Sequence, residues 1–286
     1  ISMVSAMGGL LFGYDWVVIG GAKAFYEAYF GISSNFQEAW AMSSALAGCM
    51  LGVFSSGFLA DKLGRKKLLI TAGFLFTLSA IGTALSNSFS FFIVMRVMGG
   101  IGIGLASNLS PMYIAETSPP EFRGRFVSIN QLTIVLGVAA AQLMNWLIAE
   151  KVPEDADVEF IRQSWNGTHG WRWMFGAETV PAFAFFLLMF FVPESPRWLL
   201  KYGREKMATN ILSRVGGDEY AAAEVKDIKA TLRENEIAQV NYRDLLEPRL
   251  LKIIGLGVFL TVLQQWCGIN VIFNYAQEVF TAAGYS

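Results

Sequence analysis

Five stretches of this chain contain no charged residue: 39–60, 68–95, 97–115, 126–149 and 253–277. Two more, 1–22 and 173–193, hold one acid each, Asp15 and Glu178. A helix of about 20 apolar residues crosses the hydrocarbon core of a bilayer. The run 68–95 is too long for one crossing and divides at Ser86-Asn87-Ser88, a cluster of turn formers. Seven spans result, near 1–22, 39–60, 68–86, 91–115, 126–149, 173–193 and 253–277. Inside a bilayer the backbone must satisfy its own polar groups, so a span is a helix or a closed barrel strand. The alternating ten-residue pattern of barrel strands is absent. The expected class is therefore all-α, a polytopic membrane protein with the lipid bilayer as solvent.

Composition agrees. The 286 residues are 54% hydrophobic and 16% charged, against about 25% charged in soluble domains. A net charge of -1 and the lack of a long basic tract give no support for a nucleic-acid partner. Cys49, Cys267 and the single His169 supply neither a disulfide framework nor a metal ligand set, and no cofactor is implied. Both thiols read as small packed hydrophobes.

Lysine and arginine in short loops set orientation. Segment 61–67 holds Lys62, Arg65, Lys66 and Lys67, and 116–125 holds Arg123 and Arg125. Loop 87–90 has none, and 23–38, read as a loop, has only Lys23. The loops after the second and fourth spans thus face the cytoplasm, as does the N-terminus. The acidic loop 150–172 falls outside and contains a glycosylation sequon, Asn166-Gly167-Thr168. Segment 194–252 is polar, with Met207, Ile211, Leu212 and Val215 on one helical face and Val225, Ile228 and Leu232 on another. It reads as short amphipathic cytoplasmic helices joining two membrane halves. An odd span count ending near Ser286 reads as part of a longer protein. The expected division is 1–193, 194–252 and 253–286.

Asp15 is the one charge in the first span, within Gly13-Tyr14-Asp15. A carboxylate at membrane depth costs about 2.5–3.5 kcal/mol on insertion scales and marks a functional site by default. Gly100-x-Gly102-x-Gly104 lacks the spacing of a nucleotide loop. Gly100-x-x-x-Gly104, Gly9-x-x-x-Gly13 and Gly48-x-x-x-Gly52 are instead close helix-packing faces.

Several motifs occur in order. Gly57 to Lys67 fits G-x-x-x-D-x-x-G-R-[KR]-[KR], with Asp61, Gly64, Arg65, Lys66 and Lys67 in place; Glu121-Phe122-Arg123-Gly124-Arg125 echoes it. Arg96 is followed by Gly99-Gly100-Ile101-Gly102, then Pro111-Met112-Tyr113-Ile114-Ala115-Glu116. Pro193-Glu194-Ser195-Pro196-Arg197-Trp198 follows the sixth span, and Gln264-Gln265-Trp266-Cys267-Gly268-Ile269-Asn270 lies in the seventh. Over its whole length the chain resembles the sugar porter branch of the major facilitator superfamily, in particular bacterial proton-coupled sugar symporters.

That resemblance implies twelve helices in two halves, about seven of which are present, and a sugar site between the halves. Asp15 matches the proton-coupling acid and Arg96 its partner. Glu178 matches a third charge, which either modulates the pair or sits near the outer membrane surface. A carrier acid needs a cation nearby and burial away from water, so that conformational change can switch it. Gln131, Gln264, Gln265 and Asn270 match sugar-contacting positions, where amides can both donate and accept. Phe12 and Trp266 either stack on the sugar or pack as ordinary apolar groups. Asp61, Arg65, Glu116, Arg123, Glu194 and Arg197 match a cytoplasmic charge latch. Val138, Trp16 and the pair Asn274-Tyr275 depart from the xylose-type pattern, so the sugar itself is not implied. The resulting expectation is a proton-coupled monosaccharide symporter of the plasma membrane, with the bacterial inner membrane as the expected site, and not an enzyme. A sodium-coupled or uncoupled facilitator and a transporter-like sensor remain alternatives.

Overall fold

The computed structural model describes residues 1–153, 157–237, 247–268, 272, 279 and 282–284. Its elements are helical, and they fall into two compact units, Ile1–Leu199 and Leu200–Ser286.

The first unit contains α1 (Ser2–Phe30), α2 (Asn35–Leu63), α3 (Arg65–Ala84), α4 (Phe89–Thr117) and α5 (Arg123–Ile148). A short α6 (Val158–Gln163) and a π-turn (Asn166–Gly170) lead into α7 (Trp171–Gly176) and α8 (Thr179–Phe191). Six stretches among the described residues are long and apolar enough to cross a membrane: α1 to α5, and Asn166–Phe191. The break at Ser86-Asn87-Ser88 falls as expected, with the Ser88 hydroxyl capping the Phe91 amide at the start of α4.

The segment 23–38 is not a loop. α1 continues to Phe30 and closes on Gly31 in the left-handed region (φ 64°), and α2 begins at Asn35. The extra two turns carry Lys23, whose ammonium is buried against Glu38 of α2 at 2.6 Å. An opposite charge across the helix pair makes the buried lysine tolerable, a pairing that one-dimensional charge counting treats as a span end.

Glycine sets the closest approaches. A Cβ on Gly13 would overlap the Ile134 carbonyl of α5, and one on Gly137 would overlap the Leu10 carbonyl of α1. The same reciprocity joins α2 and α4: Gly48 meets Val97 and Gly52 meets Ile101, while Gly100 meets Ala45 and Gly104 meets Cys49. These are small-residue helix seams. Around them Leu11, Leu69, Phe76, Leu109 and Phe185 form the core.

Asn166, the sequon asparagine, is 1% exposed. Its side-chain amide donates to the Glu150 carbonyl (2.8 Å) and accepts from the Glu150 amide (2.9 Å). It ties the end of α5 to the π-turn and offers no surface acceptor.

α9 (Pro196–Lys201) follows the sixth span. In the second unit, α10 (Glu205–Ile237) folds at Gly217 (φ 87°), and Lys229 on its second arm pairs with Glu205 on its first at 2.7 Å. Leu212, Val225 and Ile228 are buried there as their periodicity predicts. Met207 is exposed, because Ala208 takes the inward position one step along. α11 (Pro248–Trp266) carries the start of the seventh expected span. Residues 269–271 and 273–278 lie outside the described residues, and Asn270 with them. Cys49 is half-buried, but Cys267 is exposed on a helix end rather than packed.

Candidate functional site

Two carboxylates and one guanidinium meet inside the first unit. Asp15 stands midway along α1 on the face toward α4, and Arg96 stands two turns into α4. Arg96 Nη1 donates to Asp15 Oδ1. Asp15 is 4% exposed and Arg96 2% exposed. The guanidinium also lies over the Phe175 ring, 5.4 Å from its centroid. Glu178, 3% exposed, sits between α7 and α8 and interacts electrostatically with both Asp15 and Arg96. Asp15 Oδ2, Arg96 Nε and Glu178 Oε1 have no hydrogen-bond partner among the described residues.

Burying charge is costly unless it is paired and hydrogen-bonded. This cluster is paired only in part. Two carboxylates around one guanidinium leave one negative charge in excess when all three are ionised, and a single proton cancels it. Glu178 is thus part of the buried cluster. Cys49 of α2 lies close enough to Asp15 to feel its charge.

A cleft of about 340 Å³ lies between α1, α4 and α5, lined by Phe12, Ser107, Pro111, Asn130 and Gln131 among others. That volume is at the lower end of small-molecule sites. Phe12, three positions before Asp15, and Gln131 are therefore brought to one surface. Phe12 also meets Trp16 edge-on, with centroids 6.1 Å apart. Pro111 lies inside α4 and cannot donate to the Ser107 carbonyl one turn back, so the cleft wall carries polar backbone. Gln264, Gln265 and Trp266 are exposed on α11 in the second unit. Asn270 lies outside the described residues.

A second charged network joins the α2–α3 corner, the end of α4 and the segment after α8. Arg65 Nη2 donates to Glu116 Oε1 at 2.9 Å, and Arg65 Nη1 lies 3.6 Å from Asp61 Oδ1. Glu194 Oε1 accepts the amides of Arg65 (2.9 Å), Lys66 (3.1 Å) and Ser195 (2.8 Å). Gly64 (φ 90°) makes room, since a Cβ there would strike the Glu194 carboxylate. The structure brings Asp61, Arg65, Glu116 and Glu194 together. Arg123 opens α5 and Arg197 lies in α9, on neighbouring elements.

Three members of the network were not singled out from sequence. The Ser195 hydroxyl donates to Glu116 Oε2 at 2.5 Å, the Tyr113 hydroxyl to the Pro193 carbonyl at 2.6 Å, and the Trp198 indole to the Asp61 carbonyl at 2.9 Å. Each lies within a motif already noted, so the signal was position inside a charged motif rather than charge.

A family model described as sugar (and other) transporter matches residues 1–286. The chain is 39% identical over 285 residues to an arabinose-proton symporter of Bacillus subtilis (strain 168), covering 100% of this chain and 59% of that protein. It is 38% identical over 311 residues to a D-xylose-proton symporter of Escherichia coli (strain K12), covering 100% of this chain and 61% of that protein. Among solved structures, the major facilitator superfamily proton:xylose symporter XylE bound to 6-bromo-6-deoxy-D-glucose matches with a TM-score of 0.83 and 36% identity. That match covers 100% of this chain and 62% of the solved one. The chain thus spans about three fifths of the length of the relatives it matches.

Proposed function

The chain belongs to the sugar transporter family, with the major facilitator fold, and from that premise we propose that the whole protein carries a monosaccharide across the plasma membrane together with a proton. The observation that carries this reading is the buried Asp15–Arg96 pair with Glu178 beside it. Pentose- and hexose-transporting names among the relatives support the substrate class.

In this reading Asp15 takes a proton from the outside. Neutralising it weakens its hold on Arg96, and α1 and α4 become free to shift relative to each other. Sugar binds to Phe12 and Gln131 on the first half and to Gln264, Gln265 and Asn270 on the second. The cleft then opens inward, sugar leaves, and the proton follows. Asp61, Arg65, Glu116, Arg123, Glu194 and Arg197 hold the inner face closed until that step. The first half is 1–193, the cytoplasmic connector 194–252 and the opening of the second half 253–286. The basic loops at 61–67 and 116–125 support a cytoplasmic N-terminus, and the bacterial inner membrane is the proposed site.

The test is uptake of radiolabelled D-xylose, L-arabinose and D-glucose into vesicles carrying the full-length protein, with and without an uncoupler. D15N abolishes accumulation against a gradient and leaves sugar exchange intact. Accumulation that survives D15N, or that follows sodium and ignores the uncoupler, rejects proton coupling through Asp15.

A further inference from the structure

The sixth span tightens where it reaches the charge cluster. α7 ends at Gly176 and α8 starts at Thr179, with Ala177 and Glu178 between them. The Glu178 amide bonds to the Phe175 carbonyl three residues back (3.2 Å), not to the Met174 carbonyl four back. The backbone stays helical through Ala177 and Glu178, but the tightened turn leaves a backbone acceptor that another group must satisfy. Here that group is a side chain of α1. The Tyr14 hydroxyl donates to the Met174 carbonyl at 3.1 Å, in a position that is 3% exposed.

Tyr14 directly precedes Asp15. Its phenol is close enough to Glu178 to feel the carboxylate's charge, and Phe175, next to Met174, supplies the ring under Arg96. The segment 174–178 therefore touches the cluster three ways: through the Met174 carbonyl, the Phe175 ring and the Glu178 carboxylate.

We infer that Tyr14 is a positioning residue: its hydroxyl staples the tightened turn of the sixth span to α1 and so fixes how close Glu178 stands to Asp15. The inference rests on the reading of Asp15 as the proton carrier. The titratable and charged groups around Asp15 and Glu178 are Tyr14 on α1, beside Glu178, Cys49 on α2, beside Asp15, and Arg96 on α4, beside both. The separation of Glu178 from Asp15 is what the staple controls. Releasing it lets one carboxylate move away from the other and removes repulsion that favours proton uptake by the pair.

The experiment is an infrared titration of the purified full-length protein in lipid, following the protonated-carboxyl band that D15N removes. Y14F, which deletes one hydroxyl, moves the midpoint of that band toward acid by about 0.5 pH unit, roughly a threefold loss of proton affinity. In an E178Q background the same substitution moves it no further. A midpoint unmoved by Y14F, or moved equally with and without Glu178, overturns the staple. Should Y14F not reach the membrane, Gly176→Ala tests the same turn. Its added Cβ meets Ala84 Cβ at an ordinary 3.4 Å and favours a regular α-helical turn. The same acid shift is expected, and an unmoved midpoint rejects the inference. A wild type with no D15N-sensitive band, or whose uptake ignores the uncoupler, sinks the proton reading instead, which separates the two failures.

Discussion

The guanidinium of Arg96 closes directly on the carboxylate of Asp15, 81 positions earlier in the chain, with both side chains shut away from solvent. Neither charge is stable alone at that depth. Each is the other's main reason for being tolerated, and Glu178 keeps the balance from being exact.

Removing the cation of the pair is therefore expected to cost more than removing both charges. Arg96→Leu leaves a buried carboxylate without its partner, at about 3–5 kcal/mol. The double variant D15N/Arg96→Leu recovers most of that. Thermal unfolding of the purified full-length protein, read by tryptophan fluorescence, checks the order. A double variant no more stable than Arg96→Leu alone contradicts it.

Glu194 is expected to act as the cap of α3. One of its oxygens serves three amides, those of Arg65, Lys66 and Ser195. Glu194→Ala should lower stability by about 1–3 kcal/mol, while Glu194→Gln, which keeps an acceptor, should cost less. Gly64→Ala should mimic the alanine variant, since its positive φ and its Cβ both oppose the cap. Equal melting of the Glu194→Gln and Glu194→Ala proteins would show that the carboxyl oxygen is not the cap.

Arg65 and Glu116 are expected to hold the cleft shut toward the cytoplasm. In a full-length protein with every native cysteine replaced, Cys49 and Cys267 among them, S107C places a thiol in the cleft. Adding Arg65→Ala should raise its alkylation by an impermeant maleimide in inside-out vesicles about fivefold, within the usual range for coupled charge pairs. An unchanged rate removes the latch.

Asn166 is expected to stay unglycosylated and to matter for stability. Translation with microsomes should add no glycan there. Asn166→Ala strips partners from both the amide and the carbonyl of Glu150 and should cost about 1–3 kcal/mol. A glycan-shifted band, or an alanine variant as stable as the parent, would refute the buried assignment.

The helix seams are expected to reject any added bulk. Gly100→Val pushes a side chain into the Ala45 carbonyl and should cost about 3 kcal/mol or more, seen as a collapse of folded yield in detergent. Normal yield would mean that α2 and α4 can separate without penalty.

Most of the architecture was readable because the bilayer demands long uncharged helices, and charge marks their ends. The reading failed where charges pair across helices. Lys23 looked like a boundary, yet Glu38 lets it lie inside α1. Asn166 looked like a surface acceptor, yet it bridges to Glu150 just past the end of α5, 16 residues away. Asp15 and Glu116 stood out as isolated acids in apolar or motif surroundings. Tyr14 and Ser195 did not, because a hydroxyl has no signature in composition and acquires its role only from the backbone or carboxyl group that folding puts opposite it.

The glycine seams have a mechanical consequence. Where α1 meets α5, and α2 meets α4, main chain rests on main chain with no cushion of side chains between. Such pairs have little that can shear, so each behaves as a stiff double beam. Any tilting of the bundle must then be taken up between the beams, at the α1–α4 and α4–α5 borders, where the cleft of Phe12 and Gln131 also lies.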